Sequence, residues 1–322
     1  MNLPGSVVYN SLSACALHLA PFSVRTMNTQ PLGLSELSST RLAYGCWRLA
    51  DGLAAADARR AVFAAFDAGY TFFDHADIYG RSECERVFGS ALREMPGARE
   101  RVVLATKCGI CPPWDGAQHC YDSSAEHIVA SVEASLGRLG VESVDILMLH
   151  RMDYLAHPDE IARTFTALRD AGKVRHFGLS NASPSQLVAI QRACEFPLIV
   201  NQVEISLDAL AALDDGTLDQ CLAESITPLA WSPLAQGRLL AAPTDARTAT
   251  LHALLDSLSA KYSTDRPTLA LAWLLRHPAA ILPIIGTTNP ARIREATRAC
   301  DILLARTDWY ALLVAARGTR LA

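Results

Sequence analysis

Val144-Asp145-Ile146-Leu147-Met148-Leu149-His150 decides how this chain folds. Apart from Asp145 the run is apolar up to His150, with no alternation that would leave one face to water. A strand of this kind is buried on both sides, as parallel strands are when helices cover both faces of their sheet. Leu198–Val200 and Ile281–Ile285 read the same way, and further candidate strands begin near 42, 70, 102, 174 and 226. Most of these starts lie about 30 residues apart, the length a βα unit requires.

Helix signals fill the intervals. Ser82-x-x-Glu85 and Ser123-x-x-Glu126 predict capping boxes, in which Ser and Glu satisfy the first free amides of a helix. Ser183-Pro184-Ser185-Gln186 adds proline at the first helical position. The longest interval, 226 to 281, holds a polar loop around 241–248 and two helical segments, 249–262 and 267–276. Trp309–Ala316 reads as a final helix. The pattern predicts an α/β fold: a single closed (β/α)8 TIM barrel over 27–322, with an N-terminal β-hairpin and a C-terminal helix. Residues 1–26 carry no Lys or Arg before Arg25, so the basic start of a secretory leader is missing. They are expected to be a disordered extension, or to precede a true start at Met27.

Half of the 322 residues are apolar, enough for a large core, and the net charge of −4 gives no footprint for nucleic acid. No apolar run approaches the roughly 18 residues of a membrane span. Nine scattered cysteines suit reduced thiols in the cytoplasm better than a disulfide framework. Cys108 and Cys111 form a CxxC with His119 and Cys120 close behind, but paired zinc spacing is absent and no metal is expected.

The carboxyl ends of barrel strands converge on one mouth. Four such ends carry chemistry: Asp74 after Tyr70–Phe73, Tyr79 in the turn beyond it, Lys107 after Arg101–Thr106, and His150. Singly, each residue is more often a cap, a partly buried ring or a solvated charge. Together they compose a proton-delivery unit. A tyrosine, with an ordinary pKa of about 10, is a reluctant acid, and a neighbouring Lys favours its phenolate. Asp74 can pair with Lys107, and His150 can orient a carbonyl oxygen.

A hydride source is then needed, yet no two glycines are separated by one residue, so no GxGxxG dinucleotide fingerprint exists. Other strand ends offer contacts. Ser180, Asn181 and Gln202 can bond a carboxamide, and Trp231 offers a face for stacking, although core packing would account for it equally. Ser232-Pro233-Leu234-Ala235-Gln236-Gly237 is a loop suited to a pyrophosphate. Gly286-Thr287-Thr288-Asn289-Pro290-Ala291-Arg292 follows the last strand, where barrels often bind phosphate.

These motifs together resemble the aldo-keto reductase superfamily over essentially all of 27–304, and its bacterial YdhF-like branch in particular. Phe72-Phe73-Asp74-His75-Ala76-Asp77-Ile78-Tyr79-Gly80 is similar to the Asp–Tyr motif of that family. Gly172–Asn181 and Asn201-Gln202-Val203-Glu204 are similar to its nicotinamide motifs. The resemblance implies Tyr79 as proton donor, Lys107 and Asp74 as its tuners, and His150 as substrate orienter. It implies Ser180, Asn181, Gln202 and Trp231 around the nicotinamide. Ser232, Leu234 and Gly237 would line the pyrophosphate; Thr287, Thr288, Arg292 and Glu295 would meet the adenosine end. His75 stands where many members have Thr, Gly286 where some branches have Lys, and Ala296 where Asn often contacts adenine; without that Lys, a preference for NADP(H) rests largely on Arg292. The expected protein is a cytoplasmic NADPH-dependent reductase of small carbonyls, a monomer or weak homo-oligomer. The alternatives are a nucleotide-sensing regulatory subunit and a barrel lyase or isomerase. The long segment 108–124, with Trp114 and Tyr121, is expected at the substrate pocket, and no C-terminal flap is expected over it.

Overall fold

The computed structural model of the protein describes residues 27–321; the expectation for residues 1–26 lies outside the described residues. β1 (Thr29–Pro31) and β2 (Ser38–Thr40) form the antiparallel hairpin. The first half of the barrel is β3 (Ala43–Gly45), α1 (Ala55–Asp67), β4 (Phe72–Asp74), α2 (Glu83–Arg93) and β5 (Val103–Cys108). A small hairpin of β6 (Ile110–Cys111) and β7 (Cys120–Tyr121) precedes α3 (Ala125–Leu139) and β8 (Val144–Leu149). Then come α4 (Pro158–Asp170), β9 (Val174–Ser180), α5 (Pro184–Ala193), β10 (Leu198–Glu204), α6 (Thr217–Ala223) and β11 (Thr227–Trp231). α7 (Ala246–Lys261), α8 (Arg266–Leu275), β12 (Leu282–Ile285), α9 (Pro290–Ala296) and α10 (Arg306–Arg317) complete the order. Eight parallel strands, β3-β4-β5-β8-β9-β10-β11-β12, close on themselves through the β12–β3 pairing.

The unalternating run of β8 now has its cause. Ile146 and Met148 join the cluster inside the barrel, with Phe72, Val200 and Leu282. Leu147 and Leu149 face the other way, into the shell of helices with Phe165 and Phe177. The β1–β2 hairpin contributes Leu32 and Leu37 to the interior cluster and hydrogen-bonds Ala280 and Thr71, ahead of their strands. It therefore plugs the end opposite the mouth. Asp145, the polar residue of the run, sits at that end as well. It accepts from Arg99 at 2.8 Å, Arg175 at 2.9 Å and the Leu104 amide at 2.8 Å. At the far end of the chain, α10 packs on α7, and Trp309 stacks on Trp273 with each indole N–H donated to the other's carbonyl.

Some local expectations hold and others do not. Ser183 and Gln186 form the reciprocal capping box, with Pro184 opening α5. Ser82 does not cap: its φ of 72 is left-handed and its side chain accepts nothing from the helix. Glu85 is buried instead, accepting from Thr106 Oγ1 and Arg138 Nε at 2.7 Å each. A tertiary partner outcompetes a local amide there, because a buried carboxylate left unpaired is far costlier than a fraying helix end. At α3 the cap is Ser124, one residue later than expected, so His127 rather than Glu126 occupies the third helical position. α7 begins at Ala246, with an Asp245–Thr248 box inside the stretch read as loop.

Gly178 marks a tight seam beneath the mouth. A Cβ there would lie 2.3 Å from Val200 Cγ2 and 2.6 Å from the Val200 carbonyl oxygen. Backbone cannot yield as a side chain does, so Gly178→Ala should cost about 1–3 kcal/mol, as overpacked cores do. Equilibrium urea unfolding checks this; an unshifted midpoint would mean that β9 and β10 are not so closely paired.

Candidate active site

The mouth of the barrel opens into a cavity of about 730 Å³. Asp74 and Tyr79 line it from β4 and the turn beyond, and His150 from the residue after β8. Ser180, Asn181, Gln202 and Trp231 line it from the ends of β9, β10 and β11. Ser232, Leu234, Gly237, Thr287, Arg292 and Glu295 continue the wall. Lys107 stands behind it with no exposed surface, and Thr288 is not among the lining residues. Thus one continuous cavity joins the two sets of residues that the sequence singled out.

Lys107 and Asp74 form a buried pair. Lys107 Nζ donates to both Asp74 oxygens, at 2.7 and 2.8 Å, and to the His75 carbonyl at 2.8 Å. These bonds account for all three ammonium hydrogens. Gln202 Nε2 donates to Asp74 Oδ1 at 2.8 Å. Burial pushes Lys107 down, but Asp74 and then Tyr79 outweigh it and hold the ammonium above its ordinary value. Nζ lies 5.0 Å from the centre of the Tyr79 ring, and its charge, then its hydrogen bonding, pulls on the phenol.

The Tyr79 phenol does not end up acidified. Burial pushes it up, Lys107 pulls it back, Asp74 pushes it further, and the net value is about 12. The sequence exposes the Lys–Tyr pairing but not the desolvation that outweighs it. His150 stands edge-on to Tyr79, with ring centroids 5.7 Å apart. Burial, then Lys107 and Arg151, drives its pKa well below the usual imidazole range, so it is neutral; its Nδ1 is buried without a partner among the described residues.

The carboxamide-type residues are already organised. Asn181, held at φ 56, donates to Ser180 Oγ at 2.9 Å and accepts from Trp231 Nε1 at 3.0 Å. Ser180 Oγ in turn donates to the Gln202 carbonyl at 3.0 Å. Asparagine tolerates the left-handed region better than most residues, which lets the chain turn outward at the strand end. Beyond Trp231, residues Ser232, Ala235, Gln236 and Gly237 all have positive φ, which coils the loop back along the cavity. Asn289 caps α9 by accepting from the amides of Ala291 and Arg292. The Arg292 side chain is exposed and makes no ion pair among the described residues.

Sequence reasoning missed Trp47, Arg48 and Arg151, which also line the cavity. Each follows the end of a barrel strand, a position signal that was available. A Cβ on Gly286 would lie 2.7 Å from Trp47 Nε1, so the indole occupies the space a side chain at 286 would need. The Arg48 guanidinium lies 4.5 Å from the centre of the Trp47 ring. By contrast Trp114 and Tyr121 do not reach this cavity. The hairpin β6–β7 folds the segment aside, and Trp114 lines a second, smaller cavity beside α3. Among the described residues none beyond Ala296 lines this cavity, so α10 does not cover it.

At the mouth of this parallel barrel a buried Lys–Asp pair thus stands behind a tyrosine, with a neutral histidine edge-on to it. The sequence profile of the aldo/keto reductase family matches residues 41–313. The chain belongs to that family, whose members are NAD(P)H-dependent reductases, and within it to the YdhF-like branch. It is 42% identical over 297 residues to 6-dehydroglucose reductase of Novosphingobium aromaticivorans, covering 90% of this chain and 96% of that protein. It is 38% identical over 283 residues to oxidoreductase YdhF of Escherichia coli, covering 87% and 94%. The fold matches a crystal structure of the thermostable aldo-keto reductase Tm1743 in complex with the inhibitor epalrestat. The TM-score is 0.79 at 21% identity, with 90% of this chain and all of that one covered.

Proposed function

We propose that this protein reduces small polar aldehydes and ketones to alcohols, with Tyr79 as the proton donor and NADPH as the cofactor. The observation that carries this reading is the continuous cavity that runs from Tyr79 and His150 to the exposed Arg292. The residues suit a nicotinamide dinucleotide: Ser180, Asn181 and Gln202 hold amide-complementary groups, Trp231 presents its ring, and the loop 232–237 offers an open concave backbone. Gly237 leaves nothing within 4 Å of its Cβ position, which suits close approach of a pyrophosphate. Thr287 and Glu295, on the cavity wall beside Arg292, would meet the adenosine end, with Thr288 set back from the wall. When bound, NADPH supplies hydride to the carbonyl carbon.

The protein's own groups handle the oxygen. His150, being neutral, donates a hydrogen bond to the carbonyl oxygen and sets its direction without competing to protonate it. Tyr79 passes its phenolic proton to that oxygen as negative charge develops there. The tyrosinate left behind is stabilised by Lys107, which Asp74 holds in place; the resting phenol, at about 12, stays protonated across neutral pH. Arg48 and Arg151 add donors to the wall, favouring a hydroxylated carbonyl over a steroid. Two relatives named 6-dehydroglucose reductase make a sugar aldehyde the first compound to try. An NADPH-oxidation screen across sugar aldehydes, simple aldehydes, quinones and ketosteroids tests the reading, which fails if no carbonyl is reduced or if ketosteroids win.

Cofactor choice rests on Arg292. A hydrogen bond to a charged group contributes about 1.5–3 kcal/mol, or roughly 10–100-fold in affinity. Arg292→Ala should raise the Kd for NADPH by about that factor and leave the NADH value nearly unchanged. Titration of tryptophan fluorescence measures both; an unchanged ratio would remove Arg292 from the 2′-phosphate.

A further inference from the structure

The CxxC of the sequence is dismantled by the fold, and a different set of ligands takes its place. Cys108 is buried on β5 within the helix-facing core. Cys111, one turn of chain later, leaves the barrel on β6. Its thiol, an Asp122 carboxylate oxygen and a His127 ring nitrogen all lie within 4.8 Å of one another. Cys120 faces Cys111 across the β6–β7 ladder. These residues come from three places: the hairpin, the linker after it, and the first turn of α3.

We propose that Cys111, Asp122 and His127, with Cys120 as fourth donor, bind a divalent transition ion of the zinc type. A thiolate, an imidazole and a carboxylate together select such an ion over magnesium or calcium. Tetrahedral zinc, with bonds of about 2.0–2.3 Å, needs ligand atoms about 3.5 Å apart, so a contraction of about 1 Å brings Cys111, Asp122 and His127 into place, and Cys120, outside that group of three, swings in from the facing strand. Two exposed or half-exposed strands and one helical turn can supply that by side-chain rotation.

Surrounding contacts are those a ligating histidine requires. His127 Nδ1 faces Asp122 Oδ2 at 3.9 Å, and its other nitrogen, Nε2, lies 3.4 Å from Ser131 Oγ. Such an outer partner fixes the ring and its tautomer. Behind Ser131 stands Asp77, 8% exposed, whose Oδ1 has no partner among the described residues. Asp77, Cys111, His127 and Ser131 all line one cavity of about 310 Å³. Arg138 reaches the same wall, but Glu85 neutralises it. On binding, each coordinating thiol loses its proton to solvent as its sulfur bonds the metal. The ion would tie the hairpin to the start of α3.

Cobalt titration of the reduced, chelator-treated full chain tests this. Wild type should bind one equivalent with a thiolate-to-cobalt charge-transfer band, and one equivalent of zinc should displace it. Ser131→Ala should weaken binding by about 10–100-fold, the usual effect of losing an outer partner. Cys111→Ser should weaken the band and the binding, Cys111→Ser/Cys120→Ser should abolish the band, and His127→Ala should weaken binding more than Ser131→Ala, with reductase turnover and circular dichroism unchanged. The site is overturned if reduced wild type gives no thiolate band, or if Cys111→Ser and His127→Ala bind cobalt as wild type does. A Cys111–Cys120 disulfide that persists under reductant without binding metal would overturn it equally.

Discussion

Tyr79→Phe should lower kcat for carbonyl reduction by about 10²–10⁴-fold, the contribution of one positioned general acid, while leaving NADPH affinity intact. The substitution removes one oxygen and keeps the ring that packs against His150. Because the lost interaction is with the developing charge, kcat and kcat/KM should fall together. Stopped-flow reduction with saturating NADPH separates this from weakened binding. Wild-type turnover in the variant would falsify Tyr79 as the acid. The raised pKa adds a pH signature. An acid acts in its protonated form, and the phenol titrates at about 12 in the resting protein. Reduction should therefore hold level through the neutral range and decline only as pH rises toward that value. His150 should impose no break near its ordinary pKa, since burial and the nearby cations keep it neutral.

Lys107→Met carries the second large effect, on stability as well as rate. Lys107 is fully buried and Asp74 nearly so, and the substitution strands a carboxylate whose remaining side-chain partner is Gln202. Removing one member of a buried pair typically costs about 3–5 kcal/mol. That is a large share of the 5–15 kcal/mol that holds a domain folded. The double variant Lys107→Met/Asp74→Asn should recover much of the loss, because no uncompensated charge remains, yet it should stay inactive. Denaturant unfolding of the singles and the double forms a cycle with a clear failure mode: additive losses would mean that the pair is not coupled. The pH dependence has a definite sign. A lysine held above its ordinary value contributes fully below the unfolded pKa, and that contribution fades as pH rises through the folded one. At neutral pH it is complete.

How much of this was legible follows from which physics each element depends on. The barrel strands were readable because burial on both faces writes itself into a run such as Ile146–Leu149. The strand ends were readable because position along a run is all that defines them. Ser183 and Gln186 were readable because a capping box is local. Ser82 and Glu85 show the opposite case: the same spacing, overruled by Arg138 from a helix far along the chain. The β6–β7 hairpin was hidden because two-residue strands leave no periodicity, so Trp114 was assigned to the wrong cavity. Trp47 and Arg48 were passed over although they follow β3, since neither belongs to an apolar run. The pKa of Tyr79 could not be read at all. A sequence names the charges near a phenol, but desolvation depends on everything that packs around it.

A single-turnover reaction with NADPH deuterated at the transferable C4 position tests the proposed reduction, hydride from the cofactor and proton from Tyr79, most directly. Deuterium should appear on the carbinol carbon of the product and a solvent-derived proton on its oxygen, with the rate collapsing in Tyr79→Phe. NADPH that stays bound and unoxidised against every aldehyde and ketone would contradict catalysis and favour a nucleotide-sensing role for the same residues.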